Sequence, residues 1–283
     1  MATFSSFLKV GDTFHQYYHS SLNTICHATS SDGKTWVKDD ENNPVLSKSV
    51  AGWDRTAVGV PMVWKEGDTW YMLFRGTPSD QVEDATGLAT SSDGITWTKY
   101  TNNPVLTGSA GEWDENGAEV WGLIKVGATY YVYYECTHKT LFKRCIGVAT
   151  STDLITWTKD ANNPIMISDL VGGRFCPFVF KKNNYYYMIC PRYTIATDAT
   201  EFELYRDVNP TFYVAERYFI GIVKRVSSSG WDSADEDTPF ILTDNINRDT
   251  FECTNGEIWM YVSGDGGSNV WSEGLFISTD FDW

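Results

Sequence analysis

A phrase that ends in tryptophan recurs along the whole chain. Three clear copies occupy residues 27–36, 88–97 and 148–157, and weaker copies occupy 224–231 and 276–283. The first three copies end at Trp36, Trp97 and Trp157. A period near 60 residues that fills the sequence indicates a repeat architecture, in which each unit buries its faces against its neighbours.

The second unit shows what one repeat contains. Short runs of β-branched and aromatic residues at 57–64, 69–74, 87–90 and 95–99 are separated by Gly, Asp and Asn clusters, and the turn at 92–94 is Ser-Asp-Gly. These are hairpin signals, and the glycine supplies the positive φ of a tight turn. Four antiparallel strands per unit, repeated, predict a propeller blade. We therefore expect an all-β fold, a five-bladed β-propeller of four-stranded antiparallel blades, with residues 1–283 forming a single domain.

Composition limits the partners of such a domain. The net charge is −15 and the pI is about 4.6, so nucleic acid is an unfavourable partner because no basic patch can replace phosphate counterions. No apolar stretch has membrane-spanning length, and residues 1–10 lack a signal-peptide pattern. We expect a monomer that needs no cofactor or metal and does not associate with membranes. The sequence leaves its location open between cytoplasmic and virion-associated, or extracellular if the start is not the natural one.

The six cysteines give no metal-binding pattern. They are scattered and form no Cys-x-x-Cys pair, which argues against a zinc site. Most lie in strand-like runs, so we expect buried free thiols. A disulfide between Cys136 and Cys145, which flank one loop, is the alternative.

Candidate functional residues lie where propeller loops meet the central channel. The first strand of each blade lines that channel, and its entry shares one face with the exit of the second strand, so loops there carry function. Carboxylates at these places can supply acid and base for glycoside cleavage, and arginines can hold hydroxyl or carboxylate groups. The candidate catalytic residues are Glu119, Asp54 and Glu135; the candidate substrate-binding residues are Arg55, Arg75, Trp121, His138, Arg174, Arg192 and Glu252.

Glu119 is the strongest of these candidates. It breaks the repeat and interrupts an apolar run, where a carboxylate is costly unless it serves a purpose. Asp54 has a structural alternative, since Asp114 recurs with it in a Gly-Trp-Asp or Gly-Glu-Trp-Asp phrase. Arg75 and Arg192 could equally be ordinary ion-pair partners.

The repeat phrases resemble those of the five-bladed glycosidase families 43, 32 and 130. The resemblance covers essentially the whole chain, through the Ser-Asp-Gly-x-Thr-Trp phrases and the Asn-Asn-Pro segments at 42–46, 102–106 and 162–166. It implies an aspartate in the first strand of blade one, an aspartate before a proline in blade two, and an acid glutamate in a later blade. Here Phe4 and Ser5 stand at the first place, Val60 precedes Pro61 at the second, and Glu119 is similar in place to the acid of family 32.

Together the residues and the resemblance predict a propeller that acts on an oligosaccharide or polysaccharide. The first hypothesis is a glycoside hydrolase in which Glu119 is the general acid, partnered by Asp54, Glu135 or Glu252. The alternative from another class is a non-catalytic glycan-binding propeller. Sialidase-like chemistry and a protein-interaction scaffold are less favoured, because five phrases differ from the six blades of sialidases and the channel is highly charged.

Overall fold

The computed structural model describes residues 2–78, 84–171, 176–194, 199–213, 218–225, 236–241, 258–264 and 272–278. Within these ranges the regular secondary structure is entirely β-strand, and no helix occurs. The absence of a helix also means that no described segment is a helix able to cross a membrane. The fold class predicted from the repeat, all-β, is confirmed.

The strands form antiparallel sheets in chain order. The first sheet contains β1 (Ala2–Val10), β2 (Thr13–Ser20), β3 (Ile25–Ser30) and β4 (Val37–Lys38), and the second contains β5 (Ala57–Glu66), β6 (Thr69–Thr77), β7 (Ala85–Ser91) and β8 (Thr98–Lys99). The third contains β9 (Asn116–Val126), β10 (Thr129–Thr137), β11 (Lys143–Ser151) and β12 (Thr158–Lys159), and β13 (Met166–Val171) also pairs with β11. The fourth contains β14 (Phe178–Lys182), β15 (Tyr185–Thr194), β16 (Ala199–Asp207) and β17 (Tyr218–Arg225), and the last contains β18 (Glu236–Ile241), β19 (Ile258–Gly264) and β20 (Ser272–Ser278).

The first strands of successive sheets contact one another around an axis. β1 contacts β5, β5 contacts β9, β9 contacts β14, β14 contacts β18, and β18 contacts β1. This is a propeller arrangement, with the first strands innermost. The structure shows four full blades rather than the five that the repeat predicted, because the last sheet has three strands among the described residues.

Two details of the predicted strands are corrected. The fourth strand of unit two begins at Thr98 and not at residue 95, because residues 92–97 form the turn. The sequence also predicts an insertion between residues 193 and 217 of unit four, but this segment contains β16, which pairs with β15 and supplies the third strand of the fourth blade.

The repeated phrase folds as a side-chain-capped turn. In its three clear copies the serine hydroxyl donates to the aspartate Oδ1 at 2.8 Å, and the backbone N–H of the threonine donates to the same oxygen at 2.7 Å. These residues are Ser30, Asp32, Thr35, Ser91, Asp93, Thr96, Ser151, Asp153 and Thr156. Because the aspartates accept these hydrogen bonds, their pKa values lie below the ordinary range. The first three blades thus carry turns of one geometry.

Trp97, which ends the second copy of the phrase, packs between blades one and two. The Trp97 ring meets the buried Tyr17 ring of the first blade edge-on at 5.7 Å, and the Tyr17 hydroxyl donates to the Gly94 carbonyl at 2.7 Å. A turn of blade two is thereby fixed to a strand of blade one. Neighbouring blades are held in register by such contacts, which keeps the innermost strands in fixed positions.

Candidate functional site

The innermost strands carry an irregularity at equivalent positions. The register of β1 shifts between Thr3 and Ser6, and that of β5 shifts between Gly59 and Met62; β9 shifts opposite the step from Tyr133 to Tyr134. A bulge bends a strand and re-aims its side chains. In these three blades the bulge therefore bends the innermost strand at an equivalent position.

Non-glycine residues at the bulges of β1 and β5, and at the equivalent position before β14, have positive φ angles. They are 50° at Phe4, 47° at Val60 and 31° at Cys176, each seven residues before the turn that follows the innermost strand. Positive φ is unusual for bulky and β-branched side chains, whereas aspartate and asparagine adopt it more readily. The resemblance implies aspartates at the first two of these places, and the backbone keeps a conformation that suits them.

A cluster of three carboxylates and two guanidinium groups lies between blades two and three. Arg75 Nη1 lies 3.1 Å from Glu119 Oε1 and 3.8 Å from Asp84 Oδ2. Arg144 Nη1 lies 3.0 Å from Glu135 Oε1. Glu119 and Glu135 face each other directly across β9 and β10, which places their Cα atoms about 4.5–5.5 Å apart. The structure brings together Glu119, Glu135 and Arg75 of the predicted set.

Glu119 is the group whose ionisation the site alters most clearly. The residue is 7% exposed, and burial raises the pKa of its carboxyl to about 7, against the lowering effect of Arg75 and with the help of Asp84 and Glu135. Loss of hydration disfavours the charged form more than the single guanidinium favours it. Near neutral pH this carboxyl can therefore hold a proton and release it.

Both carboxylate oxygens of Glu135 have a partner. It is buried, its Oε1 pairs with Arg144, and its Oε2 accepts a hydrogen bond from the backbone N–H of Cys176 at 3.1 Å. The two opposed glutamates are therefore both buried and both paired with an arginine, and Glu135 accepts from a backbone N–H as well.

Aromatic rings form one wall of the site. Phe4 meets Trp121 edge-on at 5.2 Å and stacks on His19 at 6.1 Å. Burial, followed by the nearby charge of Arg75, lowers the pKa of His19 to about 4, so the imidazole is neutral at neutral pH. Trp121 Nε1 and Arg75 Nε are buried donors with no hydrogen-bond partner among the described residues, which leaves two donors for a bound acceptor or water.

Sequence reasoning missed Asp84, Arg144 and His19, although the repeat contains the signal for two of them. Arg75 and Glu135 are 60 residues apart, and so are Asp84 and Arg144. The same two places thus carry a cation and an anion in blade two and the reverse in blade three. A comparison of charges between repeats would have identified this exchange.

Asp54 belongs to a different feature. It is buried and forms an ion pair with Lys99, as Asp114 does with Lys159 at 2.5 Å. The lysines also donate to backbone carbonyls of the preceding loop, at Ser47 and at residue 107, both at 2.6 Å. Asp54 is therefore placed in a repeated clamp, which matches the structural alternative for this residue, and its contacts do not connect it to Glu119.

The remaining candidates lie apart or outside the description. Arg55 is exposed, and His138 closes the turn between β10 and β11, where its Nδ1 accepts from the Thr140 N–H at 3.2 Å. Arg192 lies in β15, where its backbone pairs with residue 201, and its side chain is outside the description. Arg174 and Glu252 lie outside the described residues.

The five described cysteines form no disulfide. Cys136 and Cys145 face each other across β10 and β11 as thiols, and burial raises the pKa of both. Cys253 lies outside the described residues. Among the residues that the structure describes, no group of three or more His, Cys, Asp or Glu side chains could hold a metal ion.

Comparison with known proteins identifies relatives by structure only. No family model and no curated protein matches the sequence. A complex of BT0996 and RGII is similar, with a TM-score of 0.72 and 14% identity over 98% of this chain and 87% of the matched one. A family 117 glycoside hydrolase of the marine bacterium Zobellia galactanivorans has a TM-score of 0.70 and 12% identity over 98% and 84%.

A third similar structure is a family 43 endo-arabinanase from Bacillus licheniformis. Its TM-score is 0.64, with 11% identity over 98% of this chain and 93% of that one. Each of the three matches covers 98% of this chain and at least 84% of the matched chain. The chain therefore has the propeller fold that these glycoside hydrolases share.

Proposed function

We propose that this protein is a glycoside hydrolase whose channel is closed by five blades, the sheet of β18 to β20 being the fifth. The closed ring of contacts among the five innermost strands supports the blade number. The shared fold supports a carbohydrate substrate, since the similar structures include glycoside hydrolases and an RGII complex.

In the proposed reaction Glu119 is the general acid. Its protonated carboxyl donates a proton to the oxygen of the leaving sugar as the glycosidic bond breaks, and the Glu119 carboxylate remains. The observation that carries this role is the burial that raises the pKa of Glu119 to about 7. A carboxyl with that pKa is an efficient donor near neutral pH.

Glu135 is the proposed partner carboxylate. It lies opposite Glu119, and Arg144 and the Cys176 N–H hold it in place. Either it attacks the anomeric carbon directly or it takes a proton from the water that does so. Of the three partners expected from the sequence, Asp54 is occupied by its clamp with Lys99 and Glu252 is outside the description, which leaves Glu135 as the supported choice.

The test is a screen with Glu119→Gln in parallel. The parent is assayed on a panel of nitrophenyl glycosides and on plant, algal and bacterial oligosaccharides, including arabinan fragments. Because a sugar leaving group needs the proton far more than nitrophenolate does, we expect turnover of the oligosaccharides to fall by about 10²–10⁴-fold in Glu119→Gln, the usual contribution of a general acid. Oligosaccharide turnover that survives this change would overturn the assignment of Glu119.

A matched control is Glu66→Gln. Glu66 is also an ion-paired glutamate, bound to Lys125, but it lies at the end of β5 away from the cluster. The oligosaccharides should be cleaved by this variant at the parental rate. Equal losses in both variants would show that loss of fold, rather than loss of an acid, explains the result.

One observation favours the second candidate, a non-catalytic glycan-binding propeller. Phe4 and Val60 occupy the bulge positions at which the resemblance implies aspartates, although both have positive φ. Such a chain would keep the backbone of a hydrolase site without its carboxylates. Binding on a glycan array by both the parent and Glu119→Gln, with no turnover of any substrate, would establish this function instead.

A further inference from the structure

We propose that Asp84 is a positioning residue that keeps Glu119 in its acid form by competing for Arg75. This inference rests on the proposed function, because it concerns how the same site retains its proton. Asp84 precedes β7 and belongs to blade two, whereas Glu119 belongs to blade three. Neither the repeat nor the resemblance assigns it a role.

The geometry shows one guanidinium shared between two carboxylates. Arg75 Nη1 lies 3.1 Å from Glu119 and 3.8 Å from Asp84. Asp84 is fixed by the Thr77 hydroxyl, which donates to its Oδ1 at 2.6 Å. Its backbone carbonyl also accepts the Ala118 N–H at 3.0 Å, so the loop before β7 is attached to the strand that carries Glu119.

The charges around Glu119 explain why Asp84 matters. The facing groups are Arg75 on β6, Asp84 before β7, Glu135 on β10, Arg144 on β11 and the neutral His19 on β2. The charges of Arg75 and Arg144 balance the charges of two carboxylates. The cluster holds three carboxyl groups, so one of them can stay protonated at the lowest cost in free energy. Glu119 is that group, because Arg144 serves Glu135, and of the two carboxylates that share Arg75 the Glu119 side chain is 9% exposed and the Asp84 side chain 32%.

Removal of the Asp84 charge and removal of the Arg75 charge should therefore shift the pKa of Glu119 in opposite directions. In Asp84→Asn, Arg75 serves Glu119 alone and one repulsive charge is lost, so the pKa of Glu119 falls. In Arg75→Gln the attractive charge is lost, so the pKa of Glu119 rises. Charges at this distance typically shift a carboxyl pKa by about 1–3 units.

The experiment measures the Glu119 titration directly. The protein is labelled with glutamate carrying ¹³C at the side-chain carboxyl, and the Glu119 signal is identified by its absence in Glu119→Gln. We expect the midpoint to move down by about one pH unit in Asp84→Asn and up by about one in Arg75→Gln. The amide oxygen introduced in Asp84→Asn can still accept the Thr77 hydroxyl, so the loop should remain in place. Arg75→Lys serves if Arg75→Gln does not fold, and should leave the midpoint closer to that of the parent.

Glu115→Gln is the matched control. It removes a carboxylate from an exposed pair with Lys139 in the same blade and should leave the midpoint of Glu119 unchanged. An unchanged midpoint in Asp84→Asn, or shifts of the same sign in Asp84→Asn and Arg75→Gln, would overturn the role of Asp84. The shifts do not depend on turnover, so opposite shifts in a protein that cleaves no glycan would support Asp84 and reject the hydrolase.

Discussion

Blades two and three are built from the same parts and differ at one end. Both contain the buried clamp, Asp54 with Lys99 and Asp114 with Lys159. At the exit of the second strand and the entry of the third, however, the charges are exchanged, with Arg75 and Asp84 in one blade and Glu135 and Arg144 in the other. Positions at which two repeats agree form the scaffold, and positions at which their charges reverse form the candidate site.

The largest loss of folding stability is expected when the clamp of Asp114 and Lys159 is broken. Asp114→Ala leaves Lys159 without its carboxylate in a site where Asp114 is buried, and it also removes the acceptor of the Tyr134 hydroxyl. Breaking one side of such a pair typically costs about 3–5 kcal/mol. The free energy of unfolding from urea titration measures this loss.

Asp54→Ala tests whether the two clamps are equivalent. Asp54 pairs with Lys99, but the residue at the place of Tyr134 is Phe74, which has no hydroxyl to donate. We expect Asp54→Ala to lower the free energy of unfolding by about 1 kcal/mol less than Asp114→Ala does, which is the net value of one hydrogen bond. A larger loss for Asp54→Ala would contradict the correspondence of the two clamps.

The next largest effect is expected in the pH dependence of turnover. Because the pKa of Glu119 is raised to about 7, the acid form is present below that pH and is lost above it. Turnover by the parent should therefore decline by about tenfold for each unit above pH 7. The high-pH decline of kcat/KM on the best oligosaccharide substrate gives the midpoint.

The raised pKa of Glu119 also predicts the direction in which folding stability changes with pH. Folded Glu119 holds its proton to a higher pH than in the unfolded chain, where the ordinary value is 4.5. Its contribution to stability is therefore present in full below about pH 4.5 and is lost as the pH rises toward 7. In Glu119→Gln this part of the pH dependence should be absent, and an identical pH profile of unfolding in both proteins would contradict the raised pKa.

The fold was predictable from the sequence because its signals are local. The Ser-x-Asp turn is satisfied by hydrogen bonds between residues two or three positions apart, so the phrase that encodes it recurs wherever the turn does. The pairing of Tyr17 with Trp97 follows once the turns are repeated. Among the described residues the last sheet has three strands, where the repeat predicts four.

The site was only partly predictable, because its contacts join distant parts of the chain. Glu119 is visible as a carboxylate in an apolar strand, but the partner of Arg75 depends on how blade two is placed against blade three. Asp84 and Arg144 lie at the starts of third strands, which the sequence indicates only weakly. For Asp54 the sequence left a catalytic and a structural interpretation open, and the structure adds that its carboxylate pairs with Lys99.

The smallest expected effect returns to the difference between the two clamps. The buried Tyr134 hydroxyl donates to Asp114 Oδ2 at 3.0 Å, and Tyr134→Phe would give blade three the aromatic residue of blade two. We expect a loss of about 1 kcal/mol in the free energy of unfolding, since one buried hydrogen bond disappears while Lys159 still serves Asp114. The reverse change, Phe74→Tyr, should be neutral or slightly stabilising, because Asp54 stands where Asp114 does and can accept the new hydroxyl. If Phe74→Tyr were as destabilising as an overpacked core substitution, at about 1–3 kcal/mol, the two clamps would differ in shape and not only in one hydroxyl.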